Sequence, residues 1–289
     1  MRQKEKKPLV FIGLDGMSWH LINFCKKLGF IPNISNLLSK SNKFTLISTI
    51  PPTTPAAWTS ILTGVNPGKH GITSFYVVTQ KNMLKLATAY DVQVPRLWEI
   101  LSFYNYKIFV ANVPLSTPWS KFNGVGIPDW LSLKPKFLIR KTSISHETMK
   151  LLMETQKSNV HLWHAYNKFS FADLLLETLS IRLDTYKSII DEAIPDALIF
   201  VISETDWFQH MFLKDLIKRR AFALFVLKKI MEMIDRFINY IIGTYKDAVF
   251  AIASDHGFRI YTKLFSTSRF LTSAKLWSWR LSGARPVAH

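Results

Sequence analysis

The chain has 289 residues, 48% of them hydrophobic and 20% charged, with 11 Gly and 13 Pro. That composition excludes a disordered, collagen-like or low-complexity protein, and the length gives one large domain or two modest ones. The 37 Lys+Arg against 20 Asp+Glu leave a net charge of +17, which fits anionic substrates, nucleic acid or anionic lipid, while the single Cys25 excludes a disulfide framework or a Cys-rich zinc site.

The N-terminus opens basic, but its apolar stretch Leu9–Leu14 is too short for a signal segment and is ended by Asp15. No apolar run reaches the roughly 18 residues of a spanning helix. A cytoplasmic protein is therefore expected. No nucleic-acid motif appears, and the aromatics do not interleave with the basic residues, so no specific nucleic-acid partner is expected. Four continuous apolar runs, Leu9–Leu14, Ile108–Val113, Ala197–Ile202 and Ala248–Ala253, suggest strands buried on both faces. Pro95–Phe103 reads as a helix leading into the second run. Arg220–Ile242, apolar at three- and four-residue spacing, reads as a helix stopped by Gly243. This alternation predicts an α/β fold with a mainly parallel sheet flanked by helices. Residues 79–90 read as a loop or hairpin. Residues 115–193, with helical pieces at 145–156 and 171–191, read as a partly helical cap insertion over the strand ends.

The polar residues at the ends of the apolar runs carry more information. The first run ends at Asp15, the third leads to Asp206 with His210 four residues on, and the fourth leads to Asp255 and His256. Open parallel sheets bind ligands beyond the carboxyl ends of their strands, so these three aspartates converge there. Together their charges repel unless a cation intervenes. Asp206 and His210, at i and i+4, share a helix face. A mixed Asp/His set favours Zn²⁺ or Mn²⁺ over Ca²⁺, and five such ligands suit two ions. Taken singly, each Asp also suits a helix N-cap.

Between the first two runs lies STIPPTTPAAWTSILTGVNPGKHGITSF. A helix starting at Pro55 places Thr54 at its N-cap, as a plain cap or as a hydroxyl nucleophile. The loop from Asn66 to Gly71 is a tight turn, or a phosphate contact through Lys69.

These segments, with GLDGMSWHL, PNISNLL, PRLWEILS, ANVPLSTP, ETDWFQH and ASDHGF in this order, resemble the type I phosphodiesterase/nucleotide pyrophosphatase family of the alkaline phosphatase superfamily. The resemblance covers about residues 8–260 and leaves 261–289 as a short basic C-terminal segment. It implies an alkaline-phosphatase-like catalytic domain with two divalent metal ions, usually zinc. Asp15, Thr54, Asp255 and His256 would surround one ion, Asp206 and His210 the other. Thr54 would be the nucleophile toward a small phosphate ester or nucleotide. The family supplies a third ligand to the second metal, a His well downstream of Ser-Asp-His-Gly. The only later histidine here is His289, whereas His20, His70, His146, His161 and His164 lie upstream. Phe75 stands where nucleotide pyrophosphatases place an Asn. A phosphodiesterase-type hydrolase is the expected function. A truncated or inactive phosphate-ester-binding relative, and a phosphomonoesterase of the same superfamily, stay open beside it.

Overall fold

The computed structural model describes residues 6–132, 136–161, 165–261, 263 and 265–274. The chain divides into two units, Met1–Phe258 and Arg259–His289. In the first, the strands among the described residues are β1 (Leu9–Leu14), β2 (Tyr76–Val78), β3 (Leu84–Leu86), β4 (Lys107–Ala111), β5 (Asn123–Ile127), β6 (Leu138–Arg140), β7 (Ala197–Ile202) and β8 (Val249–Ala253). Six of them form one sheet in the order β6-β5-β4-β7-β1-β8, parallel throughout except for the antiparallel pairing of β6 with β5. β2 and β3 make the separate hairpin expected near residue 79.

The helices around these strands are α1 (Trp19–Lys27), α2 (Pro32–Ser39), α3 (Thr54–Thr63), α4 (Pro67–His70), α5 (Leu97–Phe103), α6 (His146–His161), α7 (Lys168–Ala193), α8 (Glu204–Ile217) and α9 (Ala221–Thr244). In the second unit, α10 (Thr267–Ser273) is capped by Ser266, whose Oγ accepts the Arg269 N–H at 3.3 Å. His164 and His289 lie outside the described residues, as does the side chain of His161.

The continuous apolar runs of β1, β4 and β7 are strands because both sheet faces are covered there, whereas β8, expected to be buried on both faces, is an edge strand with Val249 and Ala251 exposed. On one face Val10, Ile12, Leu14, Phe200 and Ile202 pack with α7, α8 and α9. On the other, Phe11, Ile199, Val201 and Val110 pack with Trp58 of α3 and Trp98 of α5. The central strand β7 is buried at every residue.

Two expectations are corrected. Residues 115–193 are not a cap as a whole: they contribute β5 and β6 to the sheet, and α7 gives Leu175, Leu179, Tyr186 and Ile190 to the core. The sequence Asn-Gly-Val-Gly-Ile hides β5, because glycine weakens the strand signal. Gly124 has φ +130°, and a Cβ there would lie 1.9 Å from the Ile108 carbonyl oxygen, so close strand packing requires glycine. Likewise α9 runs through Gly243 to Thr244. Mid-helix glycine costs about 1 kcal/mol, and the buried face of α9, from Val226 to Ile241, outweighs that.

Candidate metal and phosphate site

The carboxyl ends of three adjacent strands, β7, β1 and β8, place Asp206, Asp15 and Asp255 side by side. Asp15 ends β1 in a turn closed by Gly16, whose φ is +67°. A Cβ on Gly16 would come within 2.7 Å of Phe258 Cε2 and 3.1 Å of Asp206 Oδ1, so this turn tolerates only glycine. Residues of α8 fix the turn: the Thr205 hydroxyl donates to the Asp15 carbonyl at 2.6 Å, and the Gln209 amide to the Gly16 carbonyl at 2.8 Å. Asp206, in the first turn of α8, and His210 face each other, Oδ2 to Nε2, at 3.4 Å. Their i, i+4 spacing gives the shared helix face read from the sequence.

After β8, the Gly16 N–H donates to Asp255 Oδ1 at 3.1 Å, and the Ser48 hydroxyl donates to the Asp255 carbonyl at 2.6 Å. His256 Nε2 lies 3.2 Å from Asp255 Oδ2 and 3.8 Å from Asp15 Oδ1. Its Nδ1 is 3.3 Å from the Gly257 carbonyl. With the proton on Nδ1 donated to that carbonyl, Nε2 turns its lone pair on the carboxylates. Asp15, Asp255 and His256 offer ligand atoms all within 4.8 Å of one another.

Thr54 joins this group. It is the first residue of α3 rather than its N-cap; Thr53 holds the cap position and makes no side-chain cap bond. Thr54 Oγ1 therefore serves no capping function and stands 3.2 Å from His256 Nε2, at the positive end of α3. One turn on, the Trp58 indole N–H donates to Asp15 Oδ2 at 3.2 Å.

Asp15 Oδ1, Asp206 Oδ1 and Asp255 Oδ2 are buried and receive no hydrogen bond from an N–H or hydroxyl donor. Burial, then the neighbouring carboxylates Asp255 and Asp206, push Asp15 well above the usual carboxylate range. Burial raises Asp255 too, against the pull of His256. Asp206 is pushed up to about 6 by burial, opposed by His210 and His256 and reinforced by Asp255. Acceptor atoms that lack donors and repel one another fit a divalent cation, so the donor set suits the expected metal.

Not every expected residue joins the cluster. Lys69 is exposed on α4 and makes no side-chain hydrogen bond or ion pair among the described residues. Its neighbour His70 is structural: Nδ1 accepts the Ile72 N–H at 3.1 Å, and Nε2 meets Ser60 Oγ at 2.8 Å. Burial lowers the His70 pKa. Phe75 packs against Trp130, centroids 6.3 Å apart, and Trp130 meets Trp207 at 6.1 Å. Sequence reasoning missed Trp58, Gln209, Ser48 and Phe258. Trp58 was accessible through its i, i+4 relation to Thr54. Phe258 was not, because only the fold shows its ring against both His210 (4.8 Å) and His256 (5.9 Å).

The model of the family described as type I phosphodiesterase/nucleotide pyrophosphatase matches residues 9–289. The chain belongs to this family. No curated protein matches it. Among solved structures, it is similar to phosphonoacetate hydrolase from Sinorhizobium meliloti 1021 in complex with phosphonoformate, at 15% identity and a TM-score of 0.56, over 87% of this chain and 56% of that one. The same hydrolase with phosphonoacetate matches at 14% identity and the same TM-score of 0.56, again over 87% of this chain and 56% of that one. Murine ectonucleotide pyrophosphatase/phosphodiesterase 5 matches at 13% identity and a TM-score of 0.49, over 87% and 57%. The chain thus spans a little over half the length of these structures. Among its described residues, no helix of this family member is long and apolar enough to cross a membrane.

Proposed function

We propose that this chain is a divalent-metal-dependent phosphoester hydrolase of the phosphodiesterase type, with Thr54 as nucleophile. The observation that carries this is the convergence of three donorless buried carboxylate oxygens with His256 Nε2 and the Thr54 hydroxyl. Asp15, Asp255 and His256, with Thr54, would hold one ion, and Asp206 with His210 the second; zinc or manganese suits this donor set. Bound there, the cations offset the carboxylate charge and, as Lewis acids, lower the pKa of the hydroxyl.

The remaining chemistry belongs to the chain. Trp58 and the Gly16 N–H hold Asp15 and Asp255 in place by one oxygen each, leaving the other oxygen of each free to ligate. The N-terminal field of α3 favours negative charge on Thr54 Oγ1. In-line attack, with the Thr54 hydroxyl proton passing to solvent, forms the Oγ1–P bond and breaks the bond from phosphorus to the ester oxygen, which leaves and takes a proton from solvent. Water then adds to phosphorus and breaks the Oγ1–P bond, one of its protons going to Oγ1 to restore the hydroxyl while the phosphate product is released. The substrate is a small phosphate ester or nucleotide.

The test is metal content and turnover on one purified sample. About two Zn or Mn per chain, with cleavage of bis-p-nitrophenyl phosphate faster than p-nitrophenyl phosphate, supports the reading. Faster monoester cleavage would make the chain a phosphomonoesterase of the same superfamily. Phosphate esters bound without turnover would make it a non-catalytic relative.

A further inference from the structure

The candidate site uses nothing from the place where α7 starts, α8 ends and α9 starts. These ends meet: Lys168 pairs with Asp215, which also takes Arg220 at 3.2 Å, and Phe169 packs on Phe222 with centroids 4.6 Å apart. Between them is a cleft of about 510 Å³ floored by Phe169, Phe212 and Phe222.

Helix lengths fix where this surface lies. At 1.5 Å per residue, the 26 residues of α7 span about 39 Å, against about 20 Å for the six of β7, which α7 joins after residues 194–196. The start of α7 therefore stands about 19 Å beyond the carboxyl end of β7. The 14 residues of α8, rising from that strand end, climb about 21 Å to the same level. The cleft is thus on the same side of the sheet as Asp15, Asp206 and Asp255, about 20 Å further out.

Its chemistry is dual. Lys214, Lys218 and Arg219 are exposed and form no ion pair among the described residues, and Asp215 is the single acid between Lys214 and Arg220. Beside them, large apolar groups face outward: Tyr166 is 97% exposed, Phe169 64%, Ile217 62% and Phe225 52%. The first turn of α9 has neither a side-chain cap nor an acid. A soluble anion would use the cations and leave the apolar groups in water. Isoleucine offers a nucleobase no stacking plane. A bilayer with anionic headgroups satisfies both sets at once, with phosphates at the cations and acyl chains beneath for the rings and Ile217. The net charge of +17 acts in the same direction.

We propose that this surface docks the protein peripherally on an anionic lipid bilayer, with the candidate site on the membrane-facing side of the sheet. Each Lys or Arg near such a surface is worth about fivefold in partitioning. Sedimentation with phosphatidylcholine vesicles containing 30% phosphatidylserine should show binding that pure phosphatidylcholine does not. The exposed triple variant Lys214→Gln, Lys218→Gln and Arg219→Gln should lower partitioning by about 100-fold. A control of equal charge change, Lys26→Gln, Lys27→Gln and Lys40→Gln, should lower it less than tenfold. Tyr166→Ser with Ile217→Ser, which changes no charge, should weaken vesicle binding by at least tenfold. Circular dichroism reports whether each variant folds. The proposal is overturned by absent vesicle binding, by equal loss in both triple variants, or by duplex DNA binding at this patch with Tyr166→Ser and Ile217→Ser indifferent.

Discussion

Thr54 Oγ1 and His256 Nε2 stand 3.2 Å apart although 202 residues separate them in the chain. The first residue of α3 and the exit of β8 meet because β1, between β7 and β8, presents Asp15 to both. If Thr54 is the nucleophile, Thr54→Ala removes turnover by at least about 10³-fold, as loss of a nucleophile does in comparable enzymes. Thr54→Ser, which keeps the hydroxyl, retains activity within about 100-fold. Mass spectrometry after acid quench should detect a phosphorylated adduct in the wild type and none in Thr54→Ala.

Metal loading should release protons. Asp206 is pushed up to about 6, and Asp15 and Asp255 are raised as well, so below their pKa values each carboxyl must lose its proton to bind a cation. Metal affinity therefore climbs as pH rises through about 6, where Asp206 gives up its proton, and goes on climbing until Asp15 and Asp255 are ionised. Calorimetry in two buffers of different ionisation enthalpy reads the proton count directly. The stability of the metal-free protein runs the other way. A carboxyl whose folded pKa exceeds its unfolded value loses stability as pH rises from about 4 through 6. Asp206→Asn should therefore raise the metal-free Tm at pH 7 by a few degrees while weakening the Tm gain on adding Zn²⁺.

The Trp58 indole is the donor to Asp15 Oδ2. Trp58→Phe preserves an aromatic ring in the core and removes the donor. Metal affinity should fall by about 10- to 100-fold, as for the loss of other groups that orient ligands. Competition with a chelator measures it. An unchanged affinity would show that Asp15 is held by the backbone turn alone.

Arg182 and Glu204 form a fully buried ion pair, Nε to Oε1 at 2.9 Å, between α7 and the first turn of α8. Breaking it from one side leaves a charge buried alone. Arg182→Met should cost about 3–5 kcal/mol, whereas Arg182→Met with Glu204→Gln should cost much less. Urea unfolding of both single variants and the double variant gives the coupling. Because Glu204 is two residues from Asp206, the single variant should also reduce metal affinity.

Much of this was legible in the sequence, for physical reasons. β1, β4 and β7 are runs of apolar residues because helices cover both sheet faces, β8 is an apolar run at an edge that stays partly exposed, and the carboxylates Asp15, Asp206 and Asp255 lie at or just beyond three strand exits. β5 was hidden because its two glycines serve close packing against β4 and Trp119 rather than strand propensity. The cap expected at 115–193 overlooked β5 and β6 in the sheet and the packing of α7 into the core. Thr54 was placed one residue early, at the N-cap, because Thr53 and Thr54 are chemically alike and only the backbone separates them. The bond from Trp58 to Asp15 joins two elements, and nothing local announces it.

The bond from the Gly16 amide to Asp255 spans 239 residues. Closing a loop of that length comes late in folding, after local helices and adjacent strand pairs have formed. During synthesis, a nascent chain exposes Asp15 and Thr54 long before Asp255 and His256 leave the ribosome. If the proposed centre takes up a cation, capture would thus report completion of the β1–β8 pairing, and a partly made chain would carry no assembled centre to act prematurely.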